Sequence, residues 1–314
     1  MARNKAKIEE LSPEASARRA AQKKRQRNRR QTLLLVLIML LGAAFLLYPT
    51  VANEWNKTVQ SRAVTRYLDE ISTIDWSVAE AAMADAKAYN RELGDAGIDW
   101  MPSMTRASKY DKLLNVTGNG MMGYIEIEKL NLRLPIYHGT SESVLSAAIG
   151  HLEQTSLPVG AASFDEELGI PMSPDGSHCA LSGHRGLPSA RLFTDLDLLQ
   201  IGDVFTMSIL NETYFYEVDQ IRIVDPQDVA SIKIEPGKDY CTLITCTPYG
   251  VNTHRLLVRG VRAGTDVLGQ YSYRIQSNAI LIRPVVVAPF LAAPVLVLLF
   301  IVAMLVPGKR RDDE

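Results

Sequence analysis

Two long runs without a single charged residue limit what this chain can become. Residues 32–52 read TLLLVLIMLLGAAFLLYPTVA and residues 285–306 read VVVAPFLAAPVLVLLFIVAMLV. As helices rising about 1.5 Å per residue, each reaches roughly 30 Å, the thickness of a bilayer core. Pro289 and Pro294 in the second run are better tolerated in a lipid-embedded helix than in a soluble one. Uncharged stretches of this length with basic flanks seldom serve as core helices of soluble folds.

The flanks set the orientation. Residues 1–30 hold eleven Lys and Arg against three Glu, a net of +8, and the second run is followed by Lys309, Arg310 and Arg311. Basic flanks stay on the cytoplasmic side, so both ends are expected there. The six residues from 309 onward sum to zero, so a total of -1 with +8 in the tail leaves -9 for the remainder. That remainder is expected to be an acidic domain on the outer face. The first run also reads as a signal peptide, with Thr50-Val51-Ala52 as a small-residue cleavage site, and on either reading the middle is exported. Three cysteines are too few, and odd in number, for a disulfide framework, so at least one thiol is expected to be free.

Between the runs the hydrophobic period changes once. From residue 53 to 93, Trp55, Val59, Tyr67, Leu68 and Ile71 recur at helical spacing and VAEAAMADAKAYNREL is built from strong helix formers ending at Gly94. GDAGIDWMPSM, residues 94–104, breaks the pattern and reads as an exposed loop. The basic residues 1–30 show no fold signal and read as disordered. From Gly123 the period is two: Ile125 and Ile127 share a face, Leu130, Leu132, Leu134 and Ile136 continue the alternation, and Pro135 suggests an edge position. DVFTMSILNETYFYEVDQIRIV reads as a hairpin turning at Asn211 and Glu212, and KDYCTLITCTP and HRLLVRGVRAG add two strands. Short strands at turn-separated intervals predict a closed β-barrel or a sandwich between about 120 and 265.

The five histidines (His138, His151, His178, His184, His254) and three cysteines have neither CxxC nor HxxxH spacing, and no glycine-rich phosphate loop follows a strand. Neither a metal nor a cofactor is expected. What remains is cysteine chemistry. Cys246 ends the apolar run TLITC, and Thr247-Pro248 stops the strand there and exposes the thiol at a rim. A thiol nucleophile needs a base and a group to hold an oxyanion. His184, between glycines in LSGHRG, offers the first, and Arg255, nine residues after Cys246 on the next strand, offers the second. From the residues alone each has another reading: a buried packing thiol, a turn histidine, a solvated arginine.

The blocks GYIEIEKLNLRLPIYHGTSESVL, GHLEQTSLPVG, LSGHRGLPSARLFTDLDLLQIGD and TLITCTPYGVNTHRLLVRG closely resemble the sortases, membrane-anchored cysteine transpeptidases of Gram-positive bacteria, and within them the pilin-polymerising class C. The resemblance covers roughly residues 110–262. It implies a mainly β fold, an eight-stranded barrel with N-terminal helices and a lid loop, flanked by two transmembrane helices. It implies that Cys246 attacks the Thr–Gly carbonyl of an LPxTG-like sorting signal to form a thioacyl-enzyme. Arg255 and backbone amides would steady the oxyanion, His184 would shuttle the proton, and Thr245 would support the groove. In class C the acceptor resembles a pilin lysine amine, so pilin subunits and the membrane are the implied partners.

Class C enzymes carry a lid with an Asp-Pro-aromatic motif. Here Asp99-Trp100 stands in the expected region with the proline displaced to Pro102, so the resemblance assigns Asp99 and Trp100 to the lid with altered loop geometry. Cys179 lies five before His184 and Cys241 five before Cys246, so in parallel neighbouring strands the two would lie level, on the opposite sheet face from the catalytic side chains, as free thiols or a disulfide. The expected division is a basic tail to 31, an anchor at 32–52, helices and lid at 53–113, the barrel at 114–265, a linker at 266–284, a second span at 285–306 and a tail from 307. The rival readings are a housekeeping-type sortase that attaches surface proteins to cell-wall peptide and an inactive pilin-binding scaffold.

Overall fold

The computed structural model describes residues 13–96, 104–161, 164–165, 170–171, 175–264 and 297. Asp99 and Trp100, expected in a lid, and nearly all of the second apolar run lie outside the described residues.

The chain divides into two compact units, residues 1–48 with 282–314, and residues 49–281. In the first, helix α1 (Pro13–Ser72) begins inside the basic segment. The expectation of disorder there is corrected from Pro13 onward: ASARRAAQKKRQRNRR is rich in Ala, Arg, Lys and Gln, whose helix propensity continues without a break into the apolar run. Pro13 suits a first helical position, where its missing N–H costs nothing. The apolar run in α1 is exposed along its length, and its most apolar 18-residue window has a mean hydropathy of 2.4, enough to cross a membrane.

In the second unit the helical stretch expected to run to residue 93 is broken. The last turns of α1 stop at Ser72, and α2 (Trp76–Ala96) restarts after Asp75, whose Oδ1 accepts hydrogen bonds from the backbone N–H and the hydroxyl of Ser77. That is a side-chain cap of the kind that starts a helix. Gly94 does not stop α2, which continues two residues further. A short α3 (Met104–Tyr110) precedes the sheet.

Eight strands close into a barrel: β1 (Met121–Ile127), β2 (Leu132–His138), β3 (Ile149–His151), β6 (Ser177–Ser182), β7 (Val204–Ile209), β8 (Glu212–Val224), β9 (Asp239–Thr247) and β10 (His254–Arg262), in spatial order β1-β2-β3-β6-β9-β10-β8-β7. A short helix α4 (Glu142–Leu145) and a two-stranded ribbon, β4 (Phe164–Asp165) with β5 (Ile170–Pro171), lie between them. The hairpin expected at Asn211 and Glu212 is present, with Ile209 paired to Glu212. The alternating series through Leu130 is interrupted by a 3-10 turn at Glu128–Leu130 and by Asn131, at φ 49°. Closure also removes the edge that Pro135 suggested. Pro135 pairs with Tyr124 of β1, and on its other side β3 pairs with β2 only from Ile136 on, so that side makes no ladder bond at the proline.

The barrel interior holds Ile125, Ile136, Leu181, Phe205, Met207, Tyr216, Leu243 and Val258, none of them reached by solvent. The helices are pinned to this core by polar side chains. Tyr67 donates its hydroxyl to the Met122 carbonyl at 2.8 Å and accepts from the Leu210 N–H at 2.9 Å. Buried Asn90 donates to the carbonyls of Leu157 and Gly160 and accepts from the Leu157 N–H.

Candidate active site

Strand register decides which side chains can meet. Along β9, Cys241, Leu243 and Thr245 point into the barrel, so Thr242, Ile244 and Cys246 point outward, and Cys246 ends that outward row half-buried. Strand β10 runs antiparallel to β9 with Arg255 directly opposite Cys246, so the two side chains share the outer face. On the other flank β6 runs parallel to β9, and the last pair is Ser182 with Ile244. The Gly183 N–H then donates to the Ile244 carbonyl at 3.0 Å, leaving His184 two residues past the last pair, as Cys246 is. Cys246 and Arg255 thereby share the outer face at one end of the barrel, and the loop that carries His184 leaves β6 at the same end.

The loop after β6 is held in several places. Gly183 is needed for close approach: a Cβ there would lie 2.7 Å from the Phe193 ring and 3.0 Å from Ile149. Phe193 N–H donates to the His184 carbonyl at 3.1 Å, and buried Thr245 donates its hydroxyl to the Gly183 carbonyl at 2.8 Å. Nε2 of His184 is shielded from solvent without a hydrogen-bond partner, and Glu142 Oε2 faces it at 3.7 Å. The Arg255 guanidinium donates from Nη1 to the carbonyls of His254 and Asn252, at 3.1 and 3.3 Å, which stands it against the β9–β10 turn.

The outward strip continues away from Cys246 along β6 and β9. Its wall is the segment 225–238: His178 on β6 bonds through Nδ1 to the Lys233 carbonyl at 2.8 Å and through Nε2 to the Thr242 hydroxyl at 2.7 Å. The carbonyl can only accept, so Nδ1 carries the proton and Nε2 accepts from Thr242. Burial pushes His178 down to about 4 from its ordinary 6.5. The unfolded chain then binds more protons than the folded one between those values, so stability from this group is present above pH 6.5 and lost as pH falls toward 4. The expected loss is up to about 1.4 kcal/mol per pH unit. Urea midpoints at pH 7 and pH 5 should differ less in His178→Asn, which keeps a donor for Lys233 but does not titrate, than in the parent; equal differences would refute this.

Cys179 and Cys241 are directly opposed on β6 and β9, inside the barrel and unreached by solvent. They lie level and face away from the Cys246 side, as the offset of five requires. Both stand as free thiols in the structure.

Three residues beside the site were not singled out from the sequence: Glu142, Arg185 and Asp197. Arg185 stands inside LSGHRG, but nothing in a single sequence separates a buried, bonded arginine from a solvated one. A cavity of about 350 Å³ between α1 and the β1–β2 turn, lined by Lys57, Gln60, Glu126, Arg133 and others, contains none of His184, Cys246 or Arg255. Cys246 and Arg255 lie instead on the open outer strip. No cluster that could hold a metal occurs among the described residues.

Residues 125–263 match the family model described as Sortase domain. The chain is similar to sortase C1 of Streptococcus agalactiae, with 50% identity and a TM-score of 0.60 over 65% of this chain and all of that one. It is similar to Sortase C of Streptococcus pneumoniae, a structure concerned with pilin substrate specificity, with 37% identity and a TM-score of 0.53 over 64% of this chain and 96% of that one. It is 30% identical over 147 residues to Sortase A of Staphylococcus aureus, covering 46% of this chain and 64% of that protein. The chain thus spans just under two thirds of the length of the curated relatives it matches.

Proposed function

The chain belongs to the sortase family, and on that premise we propose that it is a class C cysteine transpeptidase that polymerises pilins. One observation carries the reading: a half-buried thiol at a strand end shares a face with an arginine directly opposite, and the loop carrying a histidine leaves the neighbouring strand at the same end.

In the proposed reaction the Cys246 thiolate attacks the Thr carbonyl of an LPxTG-like signal, and the carbonyl electrons move onto oxygen. Nη1 of Arg255 is engaged by the turn, so Nε and Nη2 are the donors assigned to that oxyanion. As the oxyanion collapses, the Thr–Gly amide breaks and His184 protonates the departing glycine amine. A thioester joins Thr to Cys246. A lysine Nζ then attacks it, gives its proton to His184 and displaces the thiolate, which leaves an isopeptide bond and the starting enzyme. Thr245 supports this arrangement through its bond to Gly183.

The choice of lysine as acceptor is supported by the likeness to two sortase C structures, one concerned with pilin substrate specificity. The assignments of Asp99 and Trp100 to a lid, of the barrel domain to 114–265 and of a second span to 285–306 belong to the same proposal. So does the placement of the catalytic domain outside the membrane with both termini inside, which the charge of the flanks and the apolar segment of α1 support. The test offers full-chain enzyme in detergent an LPxTG-like peptide with two competing amines, a pilin-type lysine peptide and a cell-wall-type peptide. Mass spectrometry should find the Thr carbonyl joined to the lysine Nζ. Transfer to the cell-wall amine alone would favour the housekeeping-type reading, and no product at all the inactive scaffold.

A further inference from the structure

Two side-chain hydrogen bonds join the strand of Cys246 to the loop of His184, one on each side of the pair. Thr245, just before Cys246, donates to the carbonyl of Gly183, just before His184, at 2.8 Å. Arg185, just after His184, donates from Nη1 to the hydroxyl of Thr247, just after Cys246, at 3.2 Å. We propose that Arg185 is a positioning residue which, together with Thr245, sets the separation and angle between the His184 imidazole and the Cys246 thiol. The proposal rests on the reading that these two groups react together.

The bonds from Gly183 to Ile244 and Thr245 tie the loop to β9 on one side of His184, and the Arg185–Thr247 bond ties it on the other, so the segment carrying the ring is held at both ends. Arg185 suits the task because its planar fork addresses two partners at a fixed angle. Nη2 meets Asp197 Oδ2 at 2.6 Å, and the guanidinium carbon lies 5.9 Å from the centre of the Tyr249 ring. Asp197 belongs to the 3-10 turn Leu196–Leu198, further along the same loop as His184, while Thr247 and Tyr249 lie on the Cys246 side. The fork therefore spans the two segments whose spacing matters.

The cost of this arrangement argues against a solvated surface arginine. The Arg185 side chain is 9% exposed, and its Nε is buried without a partner. Burying a guanidinium is unfavourable unless a counter-charge is supplied, and an unpaired donor adds to that. Asp197 supplies the counter-charge, so the brace acts through geometry.

The test is the rate at which iodoacetamide alkylates Cys246 in the full chain in detergent, read by peptide mass; Cys179 and Cys241 are unreached by solvent. His184→Ala, which removes the ring that the brace positions, sets the uncoupled rate. Thr247→Val, which keeps the shape and removes the hydroxyl, and Arg185→Lys, which keeps the charge and removes the fork, should each slow alkylation about 10-fold toward that rate, with the melting temperature unchanged for Thr247→Val. The double variant should be no slower than the slower single one, since both remove one bond. Parental rates in Thr247→Val, additive losses in the double variant, or equal rates in parent and His184→Ala would each overturn the proposal. No sorting peptide is used, so an enzyme that behaves as expected here yet fails to cleave an LPxTG-like peptide would refute the substrate reading alone.

Discussion

A Cys246→Ala enzyme is expected to fold as the parent does and to lose thioacyl intermediate and polymer together. The side chain ends the outward row of β9 and is half-buried, so trimming it to Ala opens no cavity in the barrel core and should change stability by less than about 1 kcal/mol. The chemical loss is of another size. Removing the nucleophile of a catalytic unit leaves only binding and oxyanion stabilisation, and costs about 10⁴-fold or more in turnover. Incubation with an LPxTG-like peptide, followed by intact mass of the enzyme, should show the acyl adduct in the parent and none in the variant. Turnover in Cys246→Ala equal to the parent's would remove the thiol from the mechanism. His184→Ala and Arg255→Ala should retain the thiol but accumulate little adduct.

The second large effect concerns stability and sits at the other end of the same strand. Asp239 opens β9, seven residues before Cys246 and so about 23 Å away along a strand. It is fully buried and accepts hydrogen bonds from the Ser177 hydroxyl at 2.7 Å, the Tyr216 hydroxyl at 3.1 Å and the Ala161 N–H at 3.1 Å, and Arg262 faces it at 3.8 Å. Burial pushes its carboxyl up, with Arg262 pulling the other way. Gly160 is required beside it, since a Cβ at that positive-φ position would stand 2.5 Å from the carboxylate. Asp239→Ala removes all these acceptors at once and takes the counter-charge from a buried arginine. The expected cost is about 3–5 kcal/mol, on the order of 10 °C in melting temperature. Peptide cleavage at a temperature where the variant is still folded should be close to parental, because the register near Cys246 is untouched. A melting temperature within a degree or two of the parent's would show that the cluster contributes little.

Much of the fold was legible in the chain itself. The switch from helical to two-residue period near Gly123, the hairpin at Asn211 and Glu212, and the two strands around Cys246 and Arg255 follow from side-chain alternation, which each strand carries in its own residues. The level placement of Cys179 and Cys241 followed from equal offsets to His184 and Cys246 only because the resemblance to sortases implied that β6 and β9 are parallel neighbours. The readings that failed depended on partners. Whether Pro135 sits at an edge depends on how far β3 extends, and whether the basic tail is helical depends on the apolar run it joins. The break at Asp75 rests on a local cap that helix formers on either side conceal.

The sequence by itself determined the kind of chemistry available: a thiol at a strand end, a histidine between glycines, an arginine nine residues on, and an uncharged apolar run near the N-terminus long enough to cross a bilayer. These depend on residue type and on spacing within one segment. Only the tertiary structure decided how the pieces are held. Glu142 reaches His184 from a short helix more than forty positions earlier, and Arg185 finds Thr247 sixty-two residues away. Such pairings arise from strand order and register, which are set by the packing of the whole barrel, so no single segment carries a mark of them.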